Sequence, residues 1–162
     1  MPQPTPMGRI CRWSHKSKTP IKYSSSEMTI QLTFNQEIRY RDDPTGISLP
    51  TFLSYEGKTI CVSAKVDPGA AVCLFKREHG EELGVPVEEG IAQVLYSIGG
   101  AIDAFGHEVI LQTSDLVFES LVYFAKYPNL PCNLLGRQGW LRKLQLAVID
   151  YDNLLYLNGY DS

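Results

Sequence analysis

The sequence of 162 residues has no long hydrophobic run and little of what builds metal sites or disulfide frameworks. No stretch approaches the ~18 apolar residues that a transmembrane helix requires, and the N-terminus has no apolar segment of the secretory-signal type. The four cysteines, at positions 11, 61, 73 and 132, form no C-x-x-C pair. This spacing favours free thiols over a zinc site or disulfides. A cytoplasmic protein without a membrane partner is therefore expected.

Motifs for nucleotides and metals are also missing. Neither G-x-x-x-x-G-K-[ST] nor G-x-G-x-x-G occurs, and His107 is followed by Glu108 without the second histidine of H-E-x-x-H. No cofactor and no metal are expected from these patterns. A histidine at this position of a strand-like run is typical of a surface or hairpin residue.

Basic charge is scarce outside the N-terminus. Residues 1–27 contain five Lys and Arg against one acid, whereas residues 28–162 contain ten against 17 acids. An acidic body without a basic stripe argues against nucleic acid as the main partner. Residues 1–27 are rich in Pro, Ser and basic residues, and they predict a disordered leader. Met28 opens the patterned segment, so a native start there is an alternative, and residues 28–162 form the predicted domain.

Short apolar runs between frequent turn signals predict an all-β protein. Residues 28–34 alternate between apolar and polar, which is the period of a half-buried strand. Further strands are predicted near residues 47–54, 59–66, 72–75 and 116–124, and in two hairpins at 91–112 and 147–157. Short helices are predicted at 76–84, which Gly84 closes, and at 137–146. This pattern is typical of a β-barrel or sandwich.

The segment "TICVSAKVDPGAAVCLF" contains the most informative candidate, Asp67. Asp-Pro-Gly is a favourable β-turn by itself, so a turn without any function is one interpretation. Two later features change the balance because of their order. A hairpin with Ile98-Gly99-Gly100 at its tip follows, and then "NLLGR" at residues 133–137.

This order resembles the retropepsin family of aspartic proteases over roughly residues 28–158. The resemblance implies a closed barrel of short strands, with a flap hairpin at residues 96–105 and one or two short helices. It implies catalysis by Asp67 within an active-site loop that includes Pro68, Gly69 and Ala70. It also assigns Ile98, Gly99 and Gly100 to the substrate-binding flap, and Leu134, Leu135, Gly136 and Arg137 to the support of the loop.

The resemblance further implies a homodimer that hydrolyses a peptide or protein substrate. An aspartic protease needs two neighbouring carboxylates, and this chain has one Asp-x-Gly element, so each copy would contribute one Asp67. Two positions depart from the family. Pro68 replaces a Thr or Ser whose hydroxyl and N–H bond across the dimer axis, and Ala71 replaces an acid that many retroviral members pair with the arginine at position 137.

Three interpretations follow from the sequence. The first is an aspartic endopeptidase whose activity Pro68 impairs. The second is a weak or inactive pseudoprotease that keeps the fold and acts as a peptide-binding or assembly module. The third is an unrelated small β-barrel in which Asp-Pro-Gly is only a turn. The joint Asp-x-Gly-Ala and Leu-Leu-Gly-Arg patterns favour the first two over the third.

Overall fold

The structure, a computed structural model, describes residues 31–160. Within these residues the chain forms ten strands, one α-helix and three short 3-10 helices. The strands are β1 (Gln36–Arg39), β2 (Ser48–Tyr55), β3 (Lys58–Val66), β4 (Leu74–Phe75), β5 (Ile91–Ser97), β6 (Gly100–Thr113), β7 (Leu116–Ala125), β8 (Asn133–Leu135), β9 (Leu144–Ile149) and β10 (Leu154–Gly159). Helix α1 is Arg77–Leu83, and the 3-10 helices are Val87–Glu89, Leu141–Lys143 and Asp150–Asp152.

Six of these strands close into a barrel. Their order is β2-β3-β8-β4-β7-β6, and β2 then pairs with β6 through residues 52–54, which completes the ring. Strand β5 lies outside the ring because, among the described strands, it pairs with β6 alone. Strands β1, β10 and β9 form a separate three-stranded sheet. The predicted all-β closed barrel is confirmed.

The barrel core follows from the alternation of side chains along its strands. In β2, Leu49 and Leu53 point inward and are buried, while Pro50 and Phe52 between them are exposed. The largest fully buried side chain is Trp140, whose Nε1–H donates a hydrogen bond of 2.9 Å to Oγ1 of Thr113. This bond allows an indole to be buried without an unpaired donor.

Helix α1 begins and ends as its sequence indicates. Gly84 takes the left-handed conformation at φ 87°, and its N–H bonds to the carbonyls of Gly80 and Glu81, which ends the helix. An ion pair of 2.7 Å between Arg77 and Glu81, which are one helical turn apart, also stabilises the helix. The helix predicted at 76–84 is therefore confirmed. No helix in the described part of the chain is long and apolar enough to cross a membrane.

The first predicted strand, at residues 28–34, is displaced. Residues 31–34 form no strand, residues 28–30 lie outside the described range, and the strand that forms is β1. Gln36 and Ile38 have the same alternating period as the predicted segment, and β10 pairs with this stretch from Gln36 to Arg39. Periodicity alone does not reveal where a partner strand begins. The leader predicted at residues 1–27 also lies outside the described residues.

The helix predicted at 137–146 is wrong. Only Leu141–Lys143 is helical, as a single 3-10 turn, and β9 begins at Leu144. Gly139 takes a left-handed φ of 94°, which an α-helix does not permit. All six residues of β9 pair in register with β10, so the sheet supplies the hydrogen bonds that a helix would have made.

Candidate active site

Asp67 follows the last residue of β3 and organises the turn that comes after it. Its Oδ1 accepts hydrogen bonds from the backbone N–H of Gly69 at 2.9 Å and of Ala70 at 3.2 Å. The N–H of Ala70 also lies 3.1 Å from the carbonyl oxygen of Asp67, which closes the turn. Pro68 has no N–H to place, and its fixed φ suits the second position of such a turn. Among the described residues, no hydrogen bond uses Oδ2 of Asp67.

Strand β8 holds this turn from the side. It pairs in parallel with β3 and antiparallel with β4, so it lies between the two strands that flank the turn. The N–H of Asp67 donates to the carbonyl of Leu135 at 3.0 Å, and the N–H of Arg137 donates to the carbonyl of Ala70 at 2.9 Å. The predicted contact between Asp67 and the Leu135-Gly136 segment is confirmed.

Gly136 is where the two segments approach most closely. A Cβ at this position would lie 2.1 Å from the carbonyl oxygen of Val72 and 2.9 Å from that of Ala70. Beneath it, the N–H of Gly136 points at Sγ of Cys73 at 3.4 Å. Cys73 is fully buried, and this burial raises the pKa of its thiol to about 12. Backbone contacts and a neutral thiol therefore fix the position of Asp67.

Strands β5 and β6 form a hairpin whose tip stands above the turn. They pair in register from Ile91 with Gly106 to Ser97 with Gly100, and the turn residues are Ile98 and Gly99. Gly100 takes φ 121°, a conformation that favours glycine. Ile98 is fully exposed. The projecting hairpin predicted at residues 96–105 is present.

The Asp67 turn and the hairpin tip line one cavity of about 840 Å³. Its walls are Asp67, Gly69, Ala70, Ala71, Val72, Leu74, Leu95, Tyr96, Ser97, Ile98, Gly99, Ile102 and Leu134. Among these residues Asp67 is the only charged one. The arrangement is a mostly apolar cleft with one carboxylate at its floor, which suits an extended chain held by its backbone and apolar side chains.

The four residues predicted to support the loop have different surroundings. Leu134 lines the cavity and Leu135 is buried in the core, as alternation in β8 requires. Gly136 makes the close approach described above. Arg137 is exposed, and its guanidinium has no ion-pair partner among the described residues. Ala71, where an acid would be needed, also lies exposed at the cavity.

Sequence reasoning named the tip of the hairpin but missed its walls. Leu95 and Ile102 are directly paired and turn toward the cavity, while their neighbour Ala101 is exposed and is not one of its walls. Counting two residues outward from Ser97 and Gly100, the pair that closes the turn, would have found Leu95 and Ile102, since paired residues share a face. No group of three or more potential metal ligands occurs among the described residues.

No protein-family model matches the chain, and no curated protein matches it. A solved retropepsin-like aspartic protease from Rickettsia conorii matches 76% of this chain and 98% of its own, with 14% identity and a TM-score of 0.54. The EIAV protease bound to the inhibitor HBY-793 matches 65% of this chain and 88% of its own, with 17% identity and a TM-score of 0.44. The Rickettsia structure confirms the resemblance for the fold: the chain has the fold of the retropepsin-like aspartic proteases.

Proposed function

We propose that this protein is an aspartic peptidase that hydrolyses peptide bonds with two Asp67 carboxylates, one from each copy of a homodimer. The observation that carries the proposal is the cleft itself, where Asp67 lies at the floor and the β5–β6 hairpin stands above it. This hairpin is hereafter called the flap. The cytoplasmic location and the peptide substrate belong to the same proposal.

The chemistry requires two carboxylates that share one proton. One carboxylate removes a proton from a water molecule held between them, and the other donates a proton to the carbonyl oxygen of the scissile bond. Oδ1 of Asp67 accepts hydrogen bonds from the two N–H groups of its own turn. Oδ2 is the oxygen left for the water and for the second carboxylate.

The need for a dimer follows from the lining of the cleft. Asp67 is the only acid among the lining residues of this chain. A two-fold axis beside the turn would supply a second Asp67 with the same geometry. Gly69, which is exposed beside Asp67, would let the two turns approach each other without a side-chain clash.

Pro68 weakens this dimer in our proposal. It is exposed at the second position of the turn, where the family that the chain resembles has a hydroxyl and an N–H that bond across the axis. Proline offers neither donor, and losing these bonds would cost on the order of 2–4 kcal/mol of dimer stability. Ala71 also leaves Arg137 without the acid that pairs with this arginine in many retroviral members. A second contact that would hold the loops of the cleft in place is therefore missing.

The test is cleavage of a denatured protein substrate between pH 4 and 7 by wild type and Asp67→Asn. Asparagine keeps an oxygen for the two N–H groups of the turn, so the fold should persist. Activity should fall by about 10²–10⁴-fold, because one proton-transfer group is lost from each copy. Asp115→Asn, at an exposed turn, is the matched control and should cleave like wild type. Equal activity in all three proteins would exclude Asp67 as the catalytic group.

A peptide-binding pseudoprotease is the second candidate, and Pro68 is the observation that favours it. In that case wild type and Asp67→Asn would both fail to cleave, yet both would bind peptides with apolar side chains. Ile98→Ser at the flap tip would weaken that binding in either background. Calorimetric titration with a library-derived apolar peptide distinguishes this outcome from a peptidase.

A further inference from the structure

The flap is anchored at its root by side chains that the cleft does not use. Its first leg leaves the 3-10 helix Val87–Glu89 and passes through Gly90 into β5. Its second leg returns along β6 and reaches His107 one residue beyond the last β5–β6 pair. We call these two stretches, residues 87–90 and 106–107, the flap root.

His107 joins the two legs. Its Nε2 lies 2.9 Å from the carbonyl oxygen of Val87, and since a carbonyl only accepts, Nε2 must donate. A Cβ at Gly90 would lie 2.3 Å from Nε2, so the backbone of the first leg rests directly on the imidazole. The ring also packs near Phe124, with centroids 6.2 Å apart. His107 is thus partly buried and links the two legs of the hairpin.

Arg77 joins the root to helix α1 and to β7. Its Nη1 contacts Oε1 of Glu88 at 3.0 Å and the carbonyl oxygen of Lys126 at 2.6 Å, while Nε contacts Glu81 at 2.7 Å. Lys126 in turn donates its N–H to the carbonyl of Asp103 in β6 at 2.8 Å. The Arg77 guanidinium therefore links the first leg of the flap, at Glu88, to the residue that follows β7. Strand β7 in turn pairs with β6, which forms the second leg.

The root and the tip of the flap differ in how far their residues are buried. Residues 96–101 are all exposed, whereas Val87, the first residue of the root, is buried and packs beside helix α1. A Cβ on Gly80 of that helix would lie 2.9 Å from a methyl carbon of Val87. The root thus belongs to the packed barrel, and the free part of the flap starts beyond it.

We propose that Arg77 and His107 are positioning residues that fix the flap root, so that the hairpin moves over Asp67 as one stiff unit instead of peeling from the barrel. The anchoring itself stands on these contacts alone. Its effect on cleavage rests on the proposed peptidase function, and the two are tested by separate measurements.

Hydrogen exchange of the free protein tests the anchoring. His107→Met removes the donor and keeps a side chain of similar length, and it should speed exchange in residues 91–103 about fivefold, equivalent to about 1 kcal/mol. His107→Gln can return an N–H to the same place, and it should restore most of the protection. Unchanged exchange in the methionine variant, or no rescue by glutamine, overturns the role of His107.

A pair of glutamates tests Arg77. Glu81 and Glu88 are similarly exposed and both pair with Arg77, yet only Glu88 belongs to the flap root. Glu88→Gln should raise exchange in residues 91–103 about twofold, the size expected of an exposed ion pair. Glu81→Gln should leave the flap unchanged. If the two variants behave alike, Arg77 stabilises only helix α1 and the proposal fails for it.

Steady-state kinetics with a peptide substrate then tests the link to function. In His107→Met the KM should rise about fivefold, while kcat changes less than twofold, because the flap closes less often on the bound peptide. A fall in kcat with unchanged KM would contradict the positioning role. If exchange responds as expected but wild type cleaves no peptide, the anchoring stands and the peptidase proposal fails.

Discussion

Two glycines, one buried beneath the floor of the cleft and one at its roof, show how differently the two parts are built. A Cβ on Gly136 would lie 2.1 Å from a backbone oxygen, whereas a Cβ on Gly99 would have Oγ of Ser97 as its nearest neighbour at 3.8 Å. The floor needs glycine because two chain segments touch there. The roof needs a turn in open space. Tight packing therefore requires glycine at position 136, whereas position 99 is surrounded by solvent.

This difference matches what each part would have to do in the proposed peptidase. A carboxylate that shares a proton with another must be held to within a fraction of an ångström. The floor provides this by binding the Asp67 turn to β8 at several backbone positions. A roof must instead move aside to admit a chain, and few contacts hold the tip. Mutations at the two sites should therefore affect different measurements.

Gly136→Ala should have the largest effect. The added methyl group meets backbone atoms of Val72 and Ala70 that cannot move away separately. We expect a loss of about 3 kcal/mol or more in the free energy of unfolding. Thermal or urea unfolding measures it. Gly99→Ala is the control and should change this free energy by less than about 0.5 kcal/mol. Equal losses in both variants would contradict the comparison of floor and roof.

Pro68→Thr should strengthen the proposed dimer, and it tests whether the Asp67 turn lies at a two-fold axis. Threonine restores an N–H and a hydroxyl at the exposed end of the floor. The monomer–dimer equilibrium should shift towards dimer by one to two decades, on a gain of about 2–3 kcal/mol. Sedimentation across a concentration series measures the shift, and cleavage at a fixed dilute concentration should increase with it. No change in either would place the Asp67 turn away from a two-fold axis.

Alkaline pH should weaken the floor through Cys73. Because burial raises the pKa of this thiol from 9.0 to about 12, the folded state holds its proton where the unfolded state releases it. The stabilisation is complete below pH 9 and is lost as pH rises towards 12. Between pH 8 and 10 wild type should lose about 1 kcal/mol more than Cys73→Ala. Unfolding curves at the two pH values give this difference, and equal losses would show that the thiol does not titrate in this way.

Ile98→Ser should have the smallest effect on stability and a visible one on substrate binding. Its side chain is fully exposed, so unfolding should change by less than about 0.5 kcal/mol. Covering this side chain on binding a peptide is worth about 1 kcal/mol, so KM should rise about fivefold. If the loss in the free energy of unfolding exceeds the loss in binding free energy that the KM change represents, the tip already packs on the floor of the cleft.

Local signals in the sequence predicted the local structure well. The hairpin at residues 91–112 and the helix that ends at Gly84 both depend on glycine residues within a few positions. The contact of Asp67 with Leu135 was predicted only through the resemblance. No periodicity in β3 or β8 by itself identifies a parallel partner so distant in the chain.

The wrong and missing predictions all concern contacts between residues that are far apart in the sequence. Residues 137–146 contain good helix formers such as Leu, Arg, Lys and Gln, but pairing with β10 made the later part a strand. The root contacts of Arg77 and His107 were missed because each depends on backbone carbonyls, whose positions no side-chain pattern reveals. What the sequence did not predict was long-range pairing and backbone acceptors.

The placement of β8 between β3 and β4 also determines when the site can form during folding. Asn133 bonds to the carbonyl of Ser63 across 70 positions of sequence. Closing so large a loop costs entropy before any contact repays it, and barrels with many such pairings fold slowly. On the ribosome, β3, the Asp67 turn and β4 emerge well before β8. The nascent chain therefore carries an unfinished floor, and the surroundings of Asp67 are complete only after β8 has been synthesised.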